Sequence, residues 1–213
     1  MSKKENNTSY LIGAFMGDGC CYVGKNSYQF SITSEDYDLC SLCQEICSSI
    51  FGKTGRIKSI YKKEKLSYYQ LIICSKEIVS FLNDITQNKT IVPEYVHKNE
   101  ETIKSFVRGL MDTDGWISRV DAGDGYTRFR IGFKNISKWT IDLHDMIEKL
   151  GVKVGIVSLR KNKRYEKDTK DSYYFSVNTL DYCSDIGFRI KRKQDITKEF
   201  LGWYGQKHGK KNT

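Results

Sequence analysis

The stretch Leu11-Ile12-Gly13-Ala14-Phe15-Met16-Gly17-Asp18-Gly19 recurs as Val107-Arg108-Gly109-Leu110-Met111-Asp112-Thr113-Asp114-Gly115. Each copy is an apolar run with small residues four apart, Gly13 and Gly17 in one, Gly109 and Thr113 in the other, and each closes on Asp-Gly. Positions four apart share a helical face, so small side chains there let two backbones approach more closely than Leu or Phe would. The pattern predicts two helices packed side by side. Both runs are too short to span a bilayer and are flanked by charge. The closing glycine predicts a left-handed residue at each helix C-terminus. In parallel packing Asp18 and Asp114 arrive together at one end, where two carboxylates do not both ionise readily without a cation between them. Either a divalent metal binds there or one aspartate is protonated.

The remainder of the 213-residue chain describes a globular protein with a net charge of +9 and a pI near 9.1. That balance points to a polyanionic partner. The segment Met1-Ser2-Lys3-Lys4-Glu5-Asn6-Asn7 has no apolar run, and no long apolar stretch follows, so an intracellular protein without a membrane partner is expected. The cysteines number seven, and Cys20 and Cys21 are adjacent, which argues against a complete disulfide framework. Cys40, Cys43 and Cys47 sit at helical spacing; zinc is one reading, and the buried face of a helix is the stronger one because paired C-x-x-C knuckles are absent.

Alternation switches from helical to period two after each motif. Residues 1–8 read as a flexible N-terminus, with Thr8 or Ser9 capping the first helix. In Tyr28-Gln29-Phe30-Ser31-Ile32-Thr33 the apolar residues face one side and Gln29, Ser31 and Thr33 the other. A helix striped by Leu39, Leu42, Ile46 and Ile50 follows and ends at Gly52. A second hairpin, Gly55–Ile60 and Ser67–Cys74, then leads to a short helix over residues 75–82. The second half repeats this order, with a return strand Arg128–Phe133, a helix ending at Gly151, and a hairpin over residues 152–159 and 172–177 around the basic turn Arg160-Lys161-Asn162-Lys163-Arg164. Asp18 matches Asp114 at an offset of 96, Phe30 matches Phe129 at 99, and Ser67-Tyr68-Tyr69 matches Ser172-Tyr173-Tyr174 at 105. Each half is therefore helix, hairpin, helix, hairpin, helix.

Hairpins with one apolar face need helices over that face and leave the other free. On the free face of the second half Arg128, Arg130 and Lys134 alternate with Phe129, Ile131 and Phe133. In the first half the matching polar set is Gln29, Ser31 and Thr33, with Arg56, Lys58 and Gln70 from the second hairpin. Arg and Gln make bidentate contacts to guanine and adenine edges, and two-stranded ribbons fit the major groove. A solvated sheet face is the alternative.

With these features together, the chain resembles the single-chain, two-repeat LAGLIDADG homing endonucleases. The motif residues 11–19 and 107–115 carry the resemblance, and the hairpins extend it over nearly the whole chain. It implies an α+β fold of two pseudo-twofold related αββαββα repeats, with the motif helices at their interface and an antiparallel β-sheet saddle over DNA. The repeats would be residues 9–97 and 98–205, with 206–213 a basic flexible tail. The implied activity is a monomeric, site-specific endonuclease, a phosphodiester hydrolase that leaves short 3′ overhangs on double-stranded DNA. An intron RNA splicing maturase and a non-cleaving DNA-binding protein are the alternatives on the same scaffold.

The resemblance also assigns roles. The metal-binding acids are Asp18 and Asp114, assisted by the carbonyls of Gly17 and Thr113, and two or three Mg²⁺ ions are expected on such hard oxygen ligands. Basic residues near the scissile phosphates are Lys191, its first-half counterpart Lys89, and Lys134 at the end of the return strand, where the first half has Ser34-Glu35. Lys193 and Arg160 join the residues expected to touch DNA. Met16 stands where the second copy has Asp112, a position that is not a metal ligand in this family.

Overall fold

The structure is a computed structural model and describes residues 3–121, 127–160 and 171–208. It contains two compact units, Met1–Asp114 and Gly115–Thr213. The first holds α1 (Lys3–Asp18), β1 (Gly19–Gly24), β2 (Ser27–Ser34), α2 (Tyr37–Phe51), β3 (Arg56–Lys62), β4 (Lys65–Cys74), α3 (Lys76–Thr86), a 3-10 turn (Glu94–Lys98) and α4 (Glu100–Thr113). The second holds β5 (Gly115–Asp121), β6 (Thr127–Asn135), α5 (Thr140–Lys149), β7 (Ser158–Arg160), β8 (Ser172–Val177), α6 (Thr179–Asp185) and α7 (Lys191–His208).

Helices α1 and α4 pair in parallel within the first unit, and the small residues are why they can. A Cβ on Gly13 would sit 2.3 Å from the Phe106 carbonyl oxygen, and one on Gly109 would sit 2.3 Å from the Tyr10 carbonyl oxygen. A Cβ on Gly17 would collide with Thr113 Oγ1 at 2.0 Å. Gly13 against Gly109 and Gly17 against Thr113 preserve the 96-residue offset along the whole contact. A buried hydrogen bond adds to the packing: Tyr10 Oη donates to Asp112 Oδ2 at 2.7 Å. Asn99 starts α4 with a capping box, accepting from Thr102 N–H while Thr102 Oγ1 accepts from Asn99 N–H.

Two features of the motif helices differ from the sequence expectation. The first helix begins at Lys3, so residues 3–8 are helical where a flexible end was expected. The polar residues serve the helix: Thr8 Oγ1 donates to the Lys4 carbonyl at 2.8 Å, and Glu5 in the first turn pairs with Lys98. At the other end neither motif glycine is left-handed; Gly52, Gly151 and Gly187 are the glycines with positive φ among the described residues. Gly19 is required by space instead, since a Cβ there would lie 2.6 Å from Phe15 Cα.

Each unit has one four-stranded antiparallel sheet, ordered β1-β2-β4-β3 and β5-β6-β8-β7. Phe30, Ile32, Leu71 and Ile73 are buried on the covered face of the first sheet. Helix α2 packs against it, burying Leu39, Cys40, Cys43, Ile46 and Cys47. The three cysteines are therefore core residues, and burial pushes the Cys47 thiol up to about 12, which keeps it neutral. In the second sheet Ile131, Phe133, Phe175 and Val177 form the equivalent covered row.

Sheet register corrects the internal alignment. Gly19 pairs with Ile32 and Gly115 with Phe133, so β2 and β6 correspond at an offset of 101 rather than 99. Ile32 pairs with Leu71 and Phe133 with Phe175, which sets β4 and β8 at 104 rather than 105. A two-residue slip preserves period-two alternation and is invisible to it, whereas a one-residue slip exchanges the faces. Lys134 therefore corresponds to Thr33, not Glu35, and Tyr174 to Gln70. The strand expected over 152–159 is confined to Ser158–Arg160, with a single bridge from Val154 to Val177 before it. The tail expected at 206–213 starts within α7, and residues 209–213 lie outside the described residues, as do 161–164 of the basic turn.

Candidate active site

The paired helices bring the two aspartates of the first unit to one end. Asp18 is the last residue of α1, and Asp114 caps α4, donating its backbone N–H to the Leu110 carbonyl at 2.9 Å. The Asp114 carboxylate oxygen Oδ2 lies only 3.2 Å from where a Gly17 side chain would begin. Asp18 is exposed and Asp114 half-buried. Thr113 lies against Gly17, its hydroxyl donating back to the Gly109 and Leu110 carbonyls.

A cation is held among these oxygens. Lys89 Nζ donates to the Gly17 carbonyl at 3.0 Å and lies 5.0 Å from the centre of the Phe15 ring. The backbone presents it through an unusual turn. Gln87, Asn88 and Lys89 all have positive φ, at 46°, 56° and 66°, a run that side-chain-bearing residues rarely adopt. Thr86 organises it, its carbonyl accepting from Thr90 and Ile91 N–H and its hydroxyl from Lys89 N–H. Burial pulls the Lys89 ammonium below the usual lysine range, while Asp114, then Cys20 and Asp18, push it back up. The Cys21 thiol nearby is pushed up to about 12 by burial, then by Cys20, with Lys89 opposing. A thiol that stays neutral is a poor metal ligand. The donors that remain are hard oxygens, and these suit Mg²⁺, Mn²⁺ or Ca²⁺. The Asp18 and Asp114 carboxylates and the Gly17 carbonyl thus fit a divalent cation of that class.

The second unit sets Lys193, not Lys191, against a backbone carbonyl and an aromatic ring, the carbonyl being that of Gly115, which corresponds to Gly19 rather than to Gly17. Lys193 is 3% exposed, its Nζ donates to the Gly115 carbonyl at 2.6 Å, and it lies 5.6 Å from the centre of the Phe188 ring. Lys191 is exposed at the first turn of α7. The helical stripe Ile190, Lys193, Thr197, Phe200, all buried, carries the signal, with steps of three, four and three.

The other expected residues lie on the open sheet faces, with one exception. Thr33, Gln70 and Lys58 form one cross-strand row of the first sheet, and Ser31, Ile72 and Arg56 the next. Ser31 is 8% exposed, flanked by Cys20 and Ile72, so its hydroxyl is not presented as expected. Gln29 pairs with Tyr22 and Cys74 on the same face. In the second sheet Arg128 is opposite Val120, Arg130 opposite Ser118, Lys134 opposite Tyr174, and Arg160 opposite Ser172, all on one face. Arg128, Arg130, Lys134 and Arg160 are exposed. Trp116, which no sequence motif singles out, lies among them above Gly132.

Residues 5–86 match the family model described as a LAGLIDADG-like domain. The two four-stranded sheets with their helices make the whole chain a two-sheet α+β fold. That fold is similar to the homing endonuclease I-DmoI, at a TM-score of 0.61 and 14% identity, covering 93% of this chain and all of that one. I-DmoI in complex with DNA and Mn matches at a TM-score of 0.57 and 16% identity, over 86% of this chain and 97% of that one. Full-length DUF199/WhiA matches at a TM-score of 0.57 and 16% identity, over 96% of this chain and 62% of that one. Two curated relatives come from Methanocaldococcus jannaschii: an uncharacterized protein 25% identical over 95% of this chain, and a glutamine–fructose-6-phosphate aminotransferase 26% identical over 90% of it. The matched segments span 23% and 17% of those proteins. No helix among the described residues is long and apolar enough to cross a membrane.

Proposed function

We propose that the protein is a divalent-metal-dependent, site-specific DNA endonuclease that makes a double-strand break in duplex DNA. The observation that carries this reading is the convergence of Asp18 and Asp114 at one end of the glycine-packed helix pair, with the Lys89 ammonium already on the Gly17 carbonyl. Asp18 and Asp114, with the carbonyls of Gly17 and Thr113, would hold Mg²⁺. When bound, the metal supplies activation of a water nucleophile and charge stabilisation on the leaving oxygen.

This chain's residues do the rest. Lys89, fixed by its strained turn and by Phe15, offers a preorganised positive charge to a phosphate whose charge grows during hydrolysis. Lys193 plays the corresponding part in the second unit, and its burial holds it in one place. The exposed Arg128 and Arg130 bind phosphates or guanine edges, and Gln29, Thr33, Lys58 and Gln70 read bases from the first sheet. Lys134 and Arg160 extend the cationic face. Mg²⁺ identity, two or three ions and short 3′ overhangs belong to the same proposal, as does action as a monomer.

The test is cleavage of a plasmid library carrying randomised duplex sites, with and without Mg²⁺. Wild type should linearise a subset, and Asp18→Asn and Asp114→Asn should bind that subset without cutting both strands. A variant that still cuts both strands at the wild-type rate overturns the two-carboxylate reading. Binding by a wild-type protein that never cuts would favour a DNA-binding role, and binding only to structured intron RNA a splicing role.

A further inference from the structure

The open face of the second sheet holds a feature that groove reading does not use. Three cross-strand rows succeed one another: Trp116, Gly132 and Ser176; Lys134, Tyr174 and Ser158; Ser172 and Arg160. Trp116, Lys134, Ser158, Leu159, Arg160 and Tyr174 line a hollow of about 480 Å³. That size falls within the range of small-ligand pockets, about 300–1,000 Å³. Trp116 is 41% exposed and Tyr174 44% exposed. The indole lies over Gly132, where a Cβ would come within 2.5 Å of Cζ2 and 2.8 Å of Cε2. Glycine at 132 is what lets the ring rest on the sheet. The corresponding positions of the first sheet are Cys20, Ser31, Thr33 and Gln70, so the feature is confined to the second unit.

An indole and a phenol left open to solvent present π-faces for stacking, beside two cations placed to hold phosphates. Nucleobases are flat and every one has a π-face, while Lys and Arg hold the adjoining phosphates. We propose that this hollow is a binding site for an unstacked nucleotide of single-stranded nucleic acid, with Trp116 the stacking surface and Lys134 and Arg160 the phosphate contacts. This rests on the reading that this sheet face meets nucleic acid. In a duplex the bases are stacked on one another and cannot use the site, so it engages a strand only where pairing has been lost.

The experiment is fluorescence anisotropy at one fixed salt concentration. Probes are oligothymidylate and oligouridylate of about a dozen nucleotides, an abasic oligomer of equal length, and a duplex. Wild type should bind the base-bearing oligomers roughly 5- to 150-fold more tightly than the abasic one, the range of a single stacked base. Trp116→Leu should erase that preference, and Trp116→Phe, which keeps a π-face, should retain much of it. Gly132→Ala is the second variant: its new Cβ displaces the indole without deleting it, and the preference should fall. Equal wild-type affinity for abasic and base-bearing oligomers, or an undiminished preference in Trp116→Leu, overturns the stacking site. Tighter binding of oligothymidylate names DNA as the source, and of oligouridylate RNA; either supports the site. Failure of wild type to bind the duplex, with the base preference intact, would refute the duplex reading and leave the stacking site standing.

Discussion

Replacing Gly13 by alanine sets two opposed effects against each other at one atom. Alanine is the better helix former by about 1 kcal/mol, which by itself would stabilise α1. The added Cβ, however, would stand 2.3 Å from the Phe106 carbonyl oxygen, where ordinary contact begins near 3.4 Å. The obstacle is backbone of the partner helix, so α1 and α4 must separate by about 1 Å along a face built from Gly13, Gly17, Gly109 and Thr113. Overpacking of this kind costs about 1–3 kcal/mol, and a rigid carbonyl puts this case at the upper end. The net expectation is a loss of about 2 kcal/mol, or roughly 4–8 °C in Tm for a chain of this size. Gly202, in α7, is the control: a Cβ there meets nothing within 4 Å, so Gly202→Ala should stabilise by about 0.5–1 kcal/mol. Urea unfolding followed by circular dichroism measures both. If Gly13→Ala unfolded at the same or a higher urea concentration than wild type, the close-packed helix pair would be wrong.

Three further outcomes follow from the same geometry. Because burial lowers the Lys89 pKa, the unfolded chain binds more protons than the folded one between the folded and unfolded values; stability from this group rises with pH through that window. Nζ-detected NMR should show Lys89 titrating before the exposed lysines, and in Asp114→Asn earlier still, since Asp114 is the largest influence holding the proton on. Tyr10→Phe removes the donor to buried Asp112, 3% exposed, and should cost about 1–3 kcal/mol in urea unfolding, with little loss if that bond does not tie α1 to α4. On the proposed function, Lys193→Met should slow cleavage far more than Lys191→Met, and equal rates would remove Lys193 from its assigned role.

Much of this architecture is legible in the amino-acid sequence. The small-residue steps in residues 11–19 and 107–115 specify a close parallel pair because only helical periodicity places them on one face, and Gly13 against Gly109 shows it. Period-two alternation likewise locates the hairpins. What alternation cannot fix is register, since a two-residue slip leaves the pattern unchanged; hence sequence matching sets Lys134 against Glu35, whereas strand pairing sets it against Thr33. The choice between Lys191 and Lys193 turns on the helical phase of α7, set by buried Ile190, Thr197 and Phe200. The left-handed turn at Gln87, Asn88 and Lys89 has no glycine to announce it. Trp116 carries no signal of its own in the sequence because its meaning depends on Gly132, its neighbour across the strands and sixteen residues away in the chain.

If Asp18 and Asp114 act with bound metal to cut both DNA strands, the linear products of the randomised plasmid library will show it most directly. Sequencing those products after incubation with Mg²⁺ should reveal a defined set of sites cut on both strands by wild type. The set should be absent with chelator and absent for Asp18→Asn and Asp114→Asn. The same cut sites at the same yield from either variant would contradict a two-aspartate metal site.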